Sequence, residues 1–283
     1  MSLSIESAQL ESHQPRDTIE QSELGTVRSL ISLAWISLAT IAALLVLWSL
    51  VSSYGVVSAL FLPSPLAVYQ ALRSLTVTGF VDATLAQHLG ASLLRIFGAL
   101  AVAILLGVPA GIAIGTSRVG KGILDPIVEF LRPLPPLAYL PLVIIWLGIG
   151  EASKIAVIAL AMLPPIILST ATGVKSTSSD HINAARAFGA SRLQVLRHVI
   201  LPSALPSVLT GTRIALGAGW STLVAAELVA ATRGLGFMIQ SAAQFLVTDV
   251  VIAGIVVIAA VAFVFEMTAR LLERWLVPWA TRR

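Results

Sequence analysis

The sequence predicts an all-α, polytopic membrane protein with about six transmembrane helices. Of its 283 residues, 57% are hydrophobic and only 11% are charged, and the mean hydropathy is +0.93. Soluble domains carry about 25% charged residues, and a chain of this size cannot hide so large an apolar excess in one soluble core. These observations exclude a soluble enzyme, a secreted disulfide scaffold and a disordered regulator.

The six predicted spans follow from the apolar runs, because about 20 apolar residues are needed to cross about 30 Å of hydrocarbon. Residues 1–27 are polar and lack the pattern of a signal peptide, so we predict a disordered cytoplasmic tail before a transmembrane domain of residues 28–283. The predicted spans are roughly Leu30–Val51, Ala91–Gly115, Ile123–Gly148, Ser153–Gly173, Leu205–Ala231 and Val250–Leu272.

The orientation of the spans follows from the positions of Lys and Arg. If the N-terminus is cytoplasmic, the outer segments carry only Arg73, Lys154 and Arg233, and the other loop cations lie inside. Cytoplasmic loops are enriched in Lys and Arg, so we predict that both termini are cytoplasmic. The same rule explains the formal net charge of +4 without nucleic-acid binding.

Two segments between the spans are predicted to be helical. Ser64 before Pro65 is typical of a helix start, which predicts a short helix over Pro65–Leu75 on the outer face. The longest cytoplasmic connection, Lys175–His198, mixes apolar residues and arginines at helical spacing, which predicts a short amphipathic helical element there.

The sequence contains few residues that could support catalysis or metal binding. The chain has no cysteine, so disulfides and thiolate ligands are excluded. The histidines (His13, His88, His181 and His198) lie outside the predicted spans, form no ligand pair at helical spacing and accompany no Ser/His/Asp arrangement. We therefore predict no catalytic residue, no metal and no cofactor bound by this chain.

Two glycine patterns between and within the spans have structural interpretations. The segment Gly115–Gly122 nearly matches a phosphate-binding loop, but it ends in Gly122 instead of Ser or Thr and follows a membrane helix instead of a strand. We interpret it as a flexible basic turn that does not bind ATP. Gly107, Gly111 and Gly115 share one helical face, a pattern typical of close helix packing in membranes.

Ionisable residues inside spans are candidates for function because they are costly in lipid. We expect Arg95 to reach outward from an early position in its span, whereas Arg213 lies deeper. Glu227 has two interpretations, a place in the translocation path or its gate and a structural pair with an arginine. Asp125, Glu129 and Arg132 share a helix face and are expected to neutralise one another in an ion network.

Two proline clusters interrupt the predicted spans, Arg132–Pro136 and Leu163–Pro165. Broken helices at membrane depth are tolerated where the freed backbone faces protein or a water-filled cavity. The clusters therefore favour a transport pathway over a rigid anchor.

One cytoplasmic segment resembles the EAA motif of ABC importer permeases, in which Glu-Ala-Ala is followed by a glycine and then by Ile-x-Leu-Pro. Here the pattern reads Asn183-Ala184-Ala185, then Gly189, then Val199-Ile-Leu-Pro202, with Asn183 in place of glutamate and Val199 in place of isoleucine. The resemblance implies a type I importer permease fold with a coupling helix in residues 176–199 that docks on an ATP-hydrolysing subunit. The coupling residues that it implies are Asn183, Ala184, Ala185, Arg186, Gly189 and Arg192.

Further segments are similar to the nitrate/sulfonate/taurine branch of these permeases, and most of all to permease subunits of taurine importers. They include Leu62–Pro65, Ile123–Pro126, Trp146–Gly150, Gly219–Glu227 and Ala230–Phe237. The resemblance implies uptake of taurine into the cytoplasm across a bacterial inner membrane by alternating access, with Trp220 and Glu227 in the path or gate.

The same resemblance implies the partners of the chain. These are a second copy of the chain, two cytoplasmic ATPase subunits that hold ATP and Mg, and a periplasmic substrate-binding protein. The alternatives are a permease of the same architecture for nitrate, other alkanesulfonates or another small organic anion, a stand-alone channel or secondary transporter, and a membrane enzyme.

Overall fold

The computed structural model describes residues 16–279, and for residues 16–34 it describes the backbone only. Within this range the chain is helical, with an isolated β-bridge between Phe80 and Ala83 and no strand. The helices are α1 (Arg16–Ser53), α2 (Pro65–Val77), α3 (Leu85–Thr116), α4 (Arg118–Leu131), α5 (Leu140–Leu147), α6 (Glu151–Lys175), α7 (Ser179–Ala187), α8 (Arg192–Val195), α9 (Leu201–Ala230), α10 (Leu235–Gln244) and α11 (Thr248–Leu276).

The predicted membrane helices are confirmed. Five helical stretches are long and apolar enough to span a membrane, and the bent pair of α4 and α5 makes a sixth if it counts as one span. The bend between the halves of that pair is 93°, and the prolines of the first proline cluster stand at it, as expected from their missing N–H groups. Helix α2 begins at Pro65 and extends the predicted outer helix by two residues, to Val77.

The chain divides into two compact units at Leu66. In the first unit, α1 begins at Arg16, so the last part of the segment predicted as a disordered tail is helical; residues 1–15 lie outside the described residues. The chain after α1 turns back on the helix, because Trp48 Nε1 donates to the carbonyl of Pro63 at 3.1 Å and Ser52 Oγ donates to that of Leu62 at 3.2 Å.

The second unit is built around α6, which packs along α3 on one side and α9 on the other. The contact with α3 depends on the glycine stripe, since a Cβ on Gly107, Gly111 or Gly115 would come within 2.9 Å, 2.5 Å and 2.5 Å of side-chain atoms of α6. The predicted packing role of the three glycines is thereby confirmed. The buried core between the three helices consists mainly of Ile96, Ala99, Ala103, Ile158, Met162, Ile166, Ala215 and Leu223.

The segment that resembled a phosphate-binding loop is a tight helical junction and not the flexible turn that the sequence predicted. Ser117 alone separates α3 from α4, and its hydroxyl accepts from the N–H of Gly120 at 3.2 Å to cap α4. A Cβ on Gly120 would lie 2.4 Å from the carbonyl oxygen of Ala113. The glycine thus permits the close turn between the two helices.

Candidate functional site

A charge cluster, buried except for Glu151, joins the beginnings of α3 and α6 to the end of α9. The guanidinium of Arg95, which is 3% exposed, donates to Glu151 from Nε at 2.6 Å and from Nη2 at 2.9 Å, and to Glu227 from Nη1 at 2.6 Å. Lys154 Nζ donates to Glu151 at 2.9 Å. Two cations and two carboxylates balance in this arrangement, which we call the Arg95 cluster (Arg95, Glu151, Lys154 and Glu227).

Glu227 is fully buried, and each of its carboxylate oxygens is hydrogen bonded. One oxygen accepts from Arg95 and from Ser92 Oγ at 2.7 Å, and the other accepts from the backbone N–H of Gly236 at 2.8 Å. The approach of the α9–α10 loop requires glycine, because a Cβ on Gly234 would stand 2.4 Å from the carboxylate carbon, at a φ of +137°.

The same loop is fixed to the start of α3 by two further polar side chains. His88 Nδ1 accepts from the N–H of Gly234 at 3.2 Å, while Nε2 lies 3.0 Å from the carbonyl of Phe80 and donates to it. Ser92 Oγ accepts from the N–H of Leu235 at 2.9 Å. The backbone N–H groups of Gly234 and Leu235, which begin α10 and have no partner within the helix, are thus satisfied by side chains of α3.

The Arg95 cluster corrects two expectations. Arg95 does not reach outward, because its two carboxylate partners and the carbonyl of Arg233 hold it inside the unit. His88 lies in the first turn of α3 and not outside the spans, because the helix begins at Leu85, six residues before the predicted span. Of the two interpretations of Glu227, the structure confirms the pair with an arginine. A place of Glu227 in the path or gate stays a prediction.

Sequence reasoning missed Glu151, Lys154 and Ser92 as members of this site. Glu151 and Lys154 lie at the start of α6, where polar residues are expected because a membrane span ends there. Lys154 is nevertheless only 3% exposed. An arginine inside a membrane segment requires a carboxylate partner. Glu151 was therefore detectable, since it is an acidic residue at the edge of a neighbouring span.

The segment with the EAA-like motif folds into α7 and α8, which project from the ends of α6 and α9. Helix α7 ends in a Schellman motif, in which the N–H of Gly189 donates to Arg186 and that of Ala190 donates to Ala185. Gly189 takes a φ of +83° with open space around its missing Cβ. The glycine of the motif is thus explained by this helix end.

Much of the surface of this segment is exposed in the described chain, and it includes two large apolar side chains. Phe188 is 93% exposed and Leu193 is 71% exposed. The predicted coupling residues Asn183, Ala184, Arg186, Gly189 and Arg192 are exposed and Ala185 is half-buried. Exposed apolar side chains rimmed by arginines are typical of a protein interface.

Trp220 lies apart from the Arg95 cluster, against α11. Its ring packs edge-on against Phe265 at a centroid distance of 5.5 Å, and Phe265 packs in the same way on Phe97 at 5.4 Å. Beside them Arg213 Nη1 donates to Glu273 at 3.3 Å, and its Nε lies 4.0 Å from Glu266. The aromatic packing fixes α9 to α3 and α11; the role of Trp220 in a path or gate stays a prediction.

Both proline clusters line one cavity of about 560 Å³, which we call the proline cavity. The predicted ion network does not form here, since within the described residues Asp125, Glu129 and Arg132 make no ion pair with one another. Arg132 lines the proline cavity, whereas Asp125 and Glu129 line a different cavity together with Arg118 and Lys121. The cavity is lined by Leu131, Arg132, Leu134, Pro136, Tyr139, Leu160, Ala161, Pro164, Pro165, Leu168, Ser169, Ile214, Ala218 and Thr222.

Comparisons with known proteins identify the family. Residues 103–278 match the family model described as binding-protein-dependent transport system inner membrane component. The taurine transport system permease protein TauC of Escherichia coli (strain K12) is 58% identical, with 86% of this chain and 89% of that protein covered. The putative aliphatic sulfonates transport permease protein SsuC of the same organism is 39% identical over 82% of this chain and 87% of its own length.

A solved structure supports the fold independently. The structure of the MetNI methionine ABC transporter in inward facing conformations matches with a TM-score of 0.60 at 21% identity, and the match covers 66% of this chain and 93% of that one. The predicted ABC importer permease fold is therefore confirmed. The match to the family model over residues 103–278 and the 58% identity to TauC show that the chain belongs to the binding-protein-dependent transport system inner membrane components.

Proposed function

We propose that this chain is the transmembrane permease subunit of an ATP-driven importer that carries taurine from the periplasm to the cytoplasm by alternating access. The observation that carries the proposal is the 58% identity to a taurine permease over 86% of the chain. Identity to the aliphatic sulfonate permease is lower, at 39% over a similar length. We therefore propose taurine, and not another alkanesulfonate, as the substrate.

The proposal assigns docking on the ATPase subunit to the coupling segment, residues 176–199. Helix α7 follows α6 after three residues, and a π-helical turn over Leu196–Ile200 joins α8 to α9 without a break. A displacement of α7 and α8 would act directly on the two central helices. Coupling of this kind requires that the ATPase contacts differ between two states of the transporter. In this assignment ATP and Mg are bound by the ATPase subunits.

The proposal places the Arg95 cluster near the outer side, where a periplasmic binding protein would dock. The cluster fixes the α9–α10 loop, α3 and α6 to one another. These elements would then move as one body when the coupling segment moves. The orientation, with both termini in the cytoplasm, is supported by the distribution of Lys and Arg.

The proposed assembly consists of two copies of this chain, two ATPase subunits and one binding protein in a bacterial inner membrane. Support for this assembly comes from the family, whose description names dependence on a binding protein. The second copy would complete the path, because the proline cavity is lined in part by exposed residues, among them Arg132, Ile214 and Ala218, and this chain alone does not enclose it.

A permease of the same architecture for another small anion is the second candidate, favoured by the similarity to the sulfonate permease. The test is competition, in which uptake of labelled taurine into proteoliposomes is measured against excess nitrate, sulfate and longer alkanesulfonates. The proposal predicts that unlabelled taurine competes and that nitrate and sulfate do not. Stronger competition by a longer alkanesulfonate than by taurine would reassign the substrate.

A further inference from the structure

The proline cavity lies beside the middle of two spans and contains a charged side chain. Its walls include one face of α6 between positions 160 and 169, at the centre of that helix, and one face of α9 between positions 214 and 222. Among the described residues that line the cavity, Arg132 is the only one with a charged side chain, and Tyr139 adds a phenol. The side chain of Arg132 is exposed. A cation thus stands about halfway along the membrane helices, in an open space.

Arg132 differs in this respect from Arg95 and Arg213, the other arginines that were singled out within the predicted spans. Arg95 is paired with two carboxylates, and Arg213 is within ion-pair distance of two others. Arg132 has no such partner among the described side chains. An unpaired charge at this depth is costly unless it faces water or an anion, so the feature calls for an explanation that a structural ion pair does not give.

The remaining polar groups of the cavity are hydroxyls. Tyr139, Ser169 and Thr222 each contribute one, from the bend between α4 and α5, from α6 and from α9. The volume of about 560 Å³ lies within the range of about 300–1,000 Å³ typical of small-molecule sites. A single cation with several hydroxyls suits a small anion that also carries hydrogen-bond donors.

We propose that Arg132 is the anion contact of the translocation path and that it selects for a sulfonate. The inference rests on the proposed function and names the group within the path that would meet the substrate. The planar guanidinium offers several N–H donors to the sulfonate oxygens, and the hydroxyls accept from the ammonium group of taurine. One cation without a second charged group keeps the contact weak, which transport requires because the substrate must also leave.

The first test separates transport from coupling in the assembled transporter. Arg132→Gln is expected to lower taurine uptake about tenfold, because a cation in a cleft concentrates anions by about this factor or more. ATP hydrolysis stimulated by the loaded binding protein is expected to stay at the wild-type rate, and Arg132→Lys is expected to retain part of the uptake. The matched control is Arg118→Gln, which removes an exposed cation from the first turn of the same helix.

Two outcomes of this test would overturn the proposal. Uptake by Arg132→Gln at the wild-type rate would show that the guanidinium does not contact the substrate. A parallel loss of uptake and stimulated hydrolysis would assign Arg132 a structural role instead.

The second test does not depend on taurine transport and uses the absence of cysteine in the chain. Ala218→Cys places a single thiol on the exposed part of the cavity wall. The probes are two thiol reagents that enter from water, one with a sulfonatoethyl group and one with a trimethylammonium group. Replacing Arg132 with Gln in this background is expected to slow the sulfonate reagent about tenfold and to leave the cationic reagent as fast or faster.

The thiol test decides the Arg132 proposal even if the substrate is wrong. Absence of taurine uptake by the wild-type assembly would refute the proposed function, while an Arg132-dependent preference for the sulfonate reagent would still support the anion contact. Equal rates with and without Arg132, or no labelling by either reagent, would overturn the anion contact. The absence of labelling by either reagent would indicate that another copy of the chain fills the cavity.

Discussion

Arg95 connects three helices because a guanidinium has several donors in one plane and here each of its nitrogens is used. Glu151 accepts from Nε and Nη2, while Glu227 and the carbonyl of Arg233 accept from Nη1. Glu227 is fully buried and Glu151 is 58% exposed. Since exposed pairs contribute little, the buried pair with Glu227 carries most of the stabilisation.

Replacing Glu227 is expected to destabilise the transmembrane unit. Glu227→Gln leaves Arg95 with one buried partner fewer, and loss of one member of a buried pair costs about 3–5 kcal/mol. The measurement is the thermal inactivation half-life of the purified complex in detergent. Glu266→Gln, which breaks a half-exposed pair, serves as the control and is expected to have a small effect; equal half-lives for the two variants would contradict this account.

The α9–α10 loop provides a second prediction at this scale. Gly234→Ala would place a methyl group against the Glu227 carboxylate, at a φ that L residues rarely adopt. We expect the loop to detach and stimulation of ATP hydrolysis by the binding protein to fall severalfold. Gly217→Ala adds the same methyl group where nothing lies within 4 Å and should behave as wild type. Normal stimulation in Gly234→Ala would argue against a role for this loop in docking.

At the scale of elements, periodicity and proline position predicted the helices well. The α2 start at Pro65 and the interruption of the third span follow from local rules about proline, and the glycine stripe follows from helical spacing. The Arg95 cluster was not predicted in full because its members are 56 and 132 residues apart. The position of an arginine inside a predicted span indicates that it needs a carboxylate partner. Which carboxylate it pairs with depends on which helices pack together.

The coupling segment can be tested by separating the helix end from the docking surface. Gly189→Trp is expected to abolish ATP-driven uptake while the chain stays in the membrane, because the side chain blocks the dock and strains the left-handed turn. Gly189→Asn should retain most of the uptake, since asparagine tolerates this conformation. If Gly189→Trp transports normally, the assignment of this segment to coupling is wrong.

The exposed phenylalanine of the same segment gives an independent prediction. Phe188→Asp is expected to reduce co-purification of the ATPase subunit at least about tenfold, because an apolar anchor at the centre of an interface contributes about 2 kcal/mol or more. Phe245→Asp is the matched control, since Phe245 is 72% exposed but lies between α10 and α11. Undiminished co-purification with Phe188→Asp would place the ATPase elsewhere.

At the scale of the whole molecule, the second unit contains the Arg95 cluster, the exposed coupling segment and the proline cavity between them. The Arg95 cluster and the coupling segment lie at opposite ends of α6 and α9. The proline cavity lies at the middle of both helices. In the proposed mechanism, a displacement of the coupling segment would reach the cavity through two continuous helices, as alternating access requires.

Uptake of labelled taurine into proteoliposomes that contain this chain, its ATPase and its binding protein is the decisive experiment. We expect uptake that requires both ATP on the side of the ATPase and the binding protein, with hydrolysis stimulated under the same conditions. Uptake without ATP would contradict the importer mechanism. Stimulated hydrolysis without taurine uptake would contradict the substrate and leave the permease assignment intact.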